Sequence, residues 1–356
     1  MKVGILGAGA MGGSVISHLK ETPGVDSILA QDVRPERIPE LEALEVEATT
    51  DLDRVLQDDN IPLVFITASN FAHHDLTLAA LAAGKAVMCE KPMATTLAEA
   101  REMVEAAEAK NGYLQIGFEL HYSKMYMKIK EWVDAGLLGD VINTHCYYGS
   151  SAWPKGIWRN SAELGGSMFG EKLSHYVDLP RWWIGSEVVD VYSACAPNIM
   201  KYMEVHDNYH TTYRFANGAV SHLTFMMGQA STFRGDPLQN IIDQQLGDGH
   251  SLGYIVVGTK GAAEVQIFGR YMRRWEYGDA PDTMTSDWVE DLTWDPEEDH
   301  LYYHNTLDQT KDIVRRVQQG LPPATPARDA LETMRLCFAA DISAEQGRVV
   351  KLSELD

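Results

Sequence analysis

The chain has 356 residues, 45% of them hydrophobic and 23% charged, a composition that fits about two globular domains and excludes a disordered or low-complexity protein. Its 51 acidic residues outnumber 30 basic ones, and the net charge of -21 repels nucleic acid and anionic membranes, so neither is an expected partner. No apolar run is long enough to span a bilayer, the first strand starts at the N-terminus with no room for a signal peptide, and the four cysteines (Cys89, Cys146, Cys195, Cys337) form no CxxC pair. A cytoplasmic protein with free, buried thiols is expected.

Val3, Ile5 and Leu6 make a short run of β character. Gly7, Gly9 and Gly12 follow, then Val15, Ile16 and Leu19 at helical spacing. Strand, tight turn and helix around a GxGxxG frame predict a dinucleotide site. Gly7 permits the turn, Gly9 lets a pyrophosphate approach the backbone, and Gly12 lets the helix pack close to the strand. The first-turn amides, at Ala10 and Met11, face the phosphates, with the helix dipole behind them. Asp32 ends the next apolar run. A carboxylate there accepts from both ribose hydroxyls of NAD and repels the 2′-phosphate of NADP, so NAD is expected over NADP. Arg34 and Arg37 follow. Either could pair with that phosphate, stack on adenine, or simply be a solvated helix start.

Residues 61–67 read as a third strand, almost uniformly apolar, as in a parallel sheet covered on both faces. It ends in the loop Ala68-Ser-Asn-Phe-Ala-His73. A helix closed by Gly84 leads to a strand at 86–89, which runs straight into Glu90-Lys91-Pro92. The repeated strand–helix–strand order predicts a doubly wound parallel α/β domain, with ligands at the carboxyl ends of its strands; Lys91 stands at such an end. A helix at 96–109 and a short strand at 113–117 complete it. The texture changes near 118–122, so a dinucleotide-binding domain is expected at 1–120 and a substrate-binding and oligomerisation domain at 121–356.

The second half reads as strands at 141–148, 187–195, 208–215, 219–227 and 262–268, with Asn217-Gly218 as a hairpin turn. Helices are expected at 126–135, 171–184, 304–319 and 327–346. Together they predict an α+β domain with a large open, mainly antiparallel sheet. These helices leave a sheet face to cover, so a homo-dimer or homo-tetramer through that sheet is expected.

GAGAMG at 7–12, AGKAVMCEKP at 83–92, GGSMFGEKLSHYVD at 165–178 and GRVVKL at 347–352 resemble the glucose–fructose oxidoreductase and inositol dehydrogenase (Gfo/Idh/MocA) family over essentially the whole chain. The resemblance implies an N-terminal Rossmann domain, a C-terminal open-sheet domain and NAD(P)-linked oxidation of a sugar or polyol hydroxyl. It further implies a catalytic group made of the Glu-Lys-Pro lysine with an acid and a histidine spaced Asp-x-Gly-x-His. On this chain these are Lys91, Glu171 in place of aspartate, and His175. Leu173 takes the glycine position and Lys172 adds a charge. Asn70 and His73 keep family positions, and with Ala68, Arg37, Glu90 and Lys91 they extend the expected cofactor-binding set.

The chemistry suits these residues. A neutral imidazole at His175 takes the hydroxyl proton as hydride leaves. The Lys91 ammonium polarises the same oxygen, or is itself the base if its pKa is lowered. Glu171 and His175, at i and i+4, share a helical face that Asp178 extends, so Glu171 hydrogen-bonds the substrate or orients the ring, unless Lys172 merely neutralises it. In the loop before Gly165, Trp153 and Trp158 offer rings to a sugar face, or to the core, and Arg159 offers a guanidinium to an anionic group. His121 and Tyr122 follow the domain crossover, within reach of substrate or nicotinamide. The expected substrate contacts are Lys91, His121, Trp158, Arg159, Glu171, Lys172 and His175. His206 and His210 have i, i+4 spacing but read as loop into strand, so no metal site is expected. Two other functions remain open on the sequence: an NAD-dependent glycosidase working by oxidation, elimination and re-reduction, and a non-catalytic nucleotide sensor.

Overall fold

Six short strands of the N-terminal third pair in parallel in the computed structural model, which describes residues 1–232, 234 and 241–356. They are β1 (Lys2–Leu6), β2 (Ser27–Gln31), β3 (Glu47–Thr49), β4 (Leu63–Ile66), β5 (Ala86–Cys89) and β6 (Leu114–Ile116), in the order β3-β2-β1-β4-β5-β6. That is the order of a doubly wound dinucleotide-binding sheet. All four residues of β4 are buried, as the apolar run requires. The strand β3 had no counterpart in the sequence reading, because Glu-Ala-Thr at a sheet edge carries no apolar pattern. Leu6, Ile66, Cys89 and Ile116 lie in one register across β1, β4, β5 and β6. The residues just after them therefore emerge along one carboxyl edge.

This sheet belongs to a compact unit comprising Met1–Glu119, Ala162–Gly166 and Thr306–Met334. The expected second span, 121–356, is thus interrupted twice. Helix Thr306–Gln319 belongs to the first unit because Ile313 and Val314 complete a core with Val3, Ile5, Val15, Ile16 and Leu19.

The other unit comprises Leu120–Ser161, Ser167–Asn305 and Arg335–Asp356. Its sheet is built from β7 (Val141–Ser150), β8 (Val188–Ala194), β9 (Asn208–Phe215), β10 (Val220–Met227), β11 (Ser251–Gly258), β12 (Gly261–Gln266), β13 (Tyr271–Ala280), β14 (Thr283–Thr293) and β15 (Val350–Lys351). The order is β14-β13-β12-β11-β7-β10-β9-β8-β15, antiparallel except where β7 meets β10. The Asn217-Gly218 turn joins β9 and β10 as predicted, with Gly218 at φ +89°. The strands β11, β13, β14 and β15 were not foreseen. One sheet face packs on a core holding Trp132, Trp183, Tyr126, Tyr254 and Phe169. On the opposite side one row crosses eight strands: Tyr192, Thr212, His222, His145, Ile255, Glu264, Arg273 and Asp291. No helix among the described residues is long and apolar enough to cross a membrane.

Candidate active site

In the first unit the glycine turn is built as the motif requires. Gly7 has φ +87°, and a Cβ there would meet Ala68 Cα at 2.4 Å. A Cβ on Gly9 would face open space, its nearest neighbour being Arg34 Nη2 at 3.9 Å. Helix Ala10–Lys20 has no side-chain cap and no acid in its first turn, so the amides at Ala10 and Met11 and the positive end of the helix remain available to an anion. Asp32 is buried, and Arg34 grips both its oxygens at 2.9 Å. Burial opposes the charge, but the hydrogen bonds and charge of Arg34 outweigh it and hold the carboxyl below its usual range. Arg37 pairs with Glu40 and donates to Ala8 O at 2.9 Å, and its charge also acts on Asp32. It supports the glycine loop.

The loops after β4 and β5 are tied together. The His73 ring is 1% exposed, with Nδ1 2.7 Å from Pro92 O and Nε2 3.0 Å from Ala68 O. Burial lowers its pKa, and the Lys91 charge adds to this, while the two carbonyls oppose. A neutral ring has one N–H, so it donates to one carbonyl at a time. His73, expected in the cofactor-binding set, is a buried brace behind the Glu90-Lys91-Pro92 turn. Asn70 is also buried, and its Nδ2 donates to Gly165 O at 2.9 Å. It anchors the start of the Gly-Gly-Ser segment. The Glu90 carboxyl is buried and accepts from the Lys91 amide at 3.3 Å. Burial pushes its pKa up to about 8, and the nearby Glu119 carboxylate adds to the rise. Sequence reasoning missed Glu119, which carries no motif.

In the second unit Phe169–Leu173 forms a π-helical turn before helix Ser174–Ile184. The regular helix expected from 171, and the shared face drawn from i, i+4 spacing, are corrected by this wider turn. The Glu171 carboxylate is buried and pairs with Arg159, Oε1 to Nε 2.7 Å; Lys172 is not its partner. Lys172 instead lies over the rings of Tyr148 and Trp153, and Arg159 over Trp158. His175 is 3% exposed, its ring 6.1 Å from that of His304, another residue no motif marked. His121 is hydrogen-bonded to Asp178 and stacks on Trp182 at 4.2 Å. Pro180 lies within the helix and cannot donate to Tyr176 O. The Tyr254 hydroxyl donates to that carbonyl instead, at 2.6 Å, and so keeps the helix satisfied.

His210 lies in β9, not on a helix, and no metal-binding cluster occurs among the described residues. The four cysteines are free; Cys195 is half-buried where a buried thiol was expected.

The first unit thus has the strand order and strand-end residues of a dinucleotide-binding domain, and its open glycine turn, first-turn amides and Asp32 fit NAD. Residues 1–118 match the family model described as "Oxidoreductase family, NAD-binding Rossmann fold", and residues 126–264 match the "GFO/IDH/MocA C-terminal domain". The chain is 27% identical over 369 aligned residues to myo-inositol 2-dehydrogenase of Thermotoga maritima, covering 100% of this chain and 99% of that one. It is 30% identical over 301 residues to inositol 2-dehydrogenase of Streptomyces avermitilis, covering 81% and 83%. The chain belongs to the GFO/IDH/MocA oxidoreductase family, and its cofactor is NAD. Among solved structures, levoglucosan dehydrogenase in complex with NADH superposes with a TM-score of 0.81 at 21% identity over 99% of each chain, a likeness of fold.

Proposed function

We propose that this enzyme oxidises a secondary hydroxyl of a sugar or polyol, with Lys91, His175 and Glu171 serving the reaction. The observation that carries the reading is the shared carboxyl edge of β1, β4 and β5. The glycine turn, the Ala68 loop and Lys91 leave three adjacent strands there. Bound NAD supplies the hydride acceptor. The hydroxyl proton must leave as the C–H bond breaks, and a neutral imidazole at His175 suits that transfer. The Lys91 ammonium stabilises charge developing on the oxygen. His73 fixes Lys91 from behind through Pro92. Arg159 pairs with Glu171 and orients it as an acceptor for a neighbouring hydroxyl. The names of the inositol dehydrogenase relatives support a cyclic polyol or sugar substrate. A screen for NADH formation across sugars, polyols and glycosides tests the reading: turnover with one of them is expected, and NAD binding without turnover on any would overturn it.

We also infer that two or more copies join through the open face of the nine-stranded sheet. Tyr192 and Ile255, each 45% exposed, lie in its central row among histidines and a threonine rather than lysines.

A further inference from the structure

Lys172 leaves the π turn one residue after Glu171 and three before His175. Such turns concentrate at functional sites. Its Nζ stands 4.8 Å from the ring centre of Tyr148 and 5.7 Å from that of Trp153. The ring-bearing loop is well fixed: the Tyr202 hydroxyl donates to Trp153 O, and Asn160 Nδ2 donates to Pro154 O at 2.8 Å. Two more cations lie on rings beside it, Arg159 on Trp158 at 5.1 Å and Lys155 on Tyr202 at 5.3 Å. Arg159 has a carboxylate partner in Glu171. Lys172 makes no ion pair among the described residues, in a chain with 21 more acids than bases. Aromatic faces hold an ammonium in place without neutralising it. The half-buried charge is left able to receive an anion.

We propose that Lys172 receives the carboxylate of a sugar acid, so that the enzyme prefers an aldonic or uronic acid to the neutral sugar. The inference rests on the sugar dehydrogenase reading and names its substrate class. One ammonium matches one negative charge. The neighbouring Arg159 guanidinium is already paired with Glu171 through Nε, so its charge is partly met, whereas a phosphate favours two free donors of one guanidinium. The rings of Tyr148, Trp153 and Trp158 supply apolar faces for the sugar body.

The test compares kcat/KM with NAD for matched probes: glucuronate against glucose, galacturonate against galactose, gluconate against sorbitol, and glucose 6-phosphate as the phosphate arm. The acids are expected to exceed their neutral partners and the phosphate by about tenfold or more, the effect of one charge-assisted contact. Lys172→Met should lower kcat/KM for the acids about tenfold more than for their neutral partners and so remove that advantage, and Lys172→Arg should retain most of it. Equal or better use of the neutral sugars or the phosphate, or an equal loss on acid and neutral in Lys172→Met, would overturn the proposal. Calorimetric titration of the same probes in the presence of NADH separates the two claims. Acid-selective binding that depends on Lys172 without any turnover contradicts the dehydrogenase reading alone. Binding that does not discriminate acid from neutral contradicts the role of Lys172. Should Lys172→Met fail to fold by circular dichroism, the wild-type preference and Lys172→Gln decide.

Discussion

Asp32 is gripped through both oxygens by Arg34. NAD ribose hydroxyls must share or replace those bonds, and a 2′-phosphate would meet a carboxylate backed by burial. Replacing Asp32 with serine should raise the KM for NAD by roughly tenfold or more, the worth of hydrogen bonds to a charged group, and free Arg34 for a phosphate. Steady-state kinetics with both cofactors checks this; an unchanged NAD to NADP ratio would contradict it. At this scale the sequence was informative wherever a residue's neighbours are local. The glycine turn and Asp32 are one strand–helix–strand unit, and their arrangement follows from it. The partners of Glu171 and Lys172 were not readable, because Arg159, Tyr148 and Trp153 come from a distant strand and loop. The role of His73 was hidden likewise, since its two carbonyl partners belong to separate turns.

The helix that carries His175 illustrates how an element is kept whole. Pro180 removes one rung of its ladder, and Tyr254 on β11 fills the gap. Tyr254→Phe keeps the ring in the core but leaves the Tyr176 carbonyl buried without that donor. A loss of about 1–3 kcal/mol is expected, read as a lower urea midpoint; an unchanged midpoint would show that the hydroxyl is dispensable. Elements were recovered from sequence where burial imposes a period. The apolar runs marked β4 and β5, and alternation marked β9 and β10, where Tyr209, Tyr213 and Phe215 turn inward. It failed for β13 and β14, whose outer ends are exposed on both faces and rest on pairing with each other. No local pattern marks the π turn either, because its apolar residues fit an ordinary helix equally well.

At the scale of the molecule, the face of the nine-stranded sheet opposite its core must meet solvent or another chain. The row through Tyr192, His222, His145 and Ile255 is well suited to packing and poor in charge. Light scattering should report a dimer or larger assembly, and Ile255→Lys should dissociate it by placing a charge in the packed face. A monomeric wild-type protein would contradict the assignment of that face. The proposed reaction assigns a role to Lys91 and to His175, so the necessity of each is the decisive point. NADH formation by Lys91→Ala and His175→Ala, on the best substrate of the wild-type enzyme, measures it. The account predicts a fall in kcat of about a hundredfold or more in each variant, with NAD binding retained; turnover at the wild-type rate in either one would contradict it.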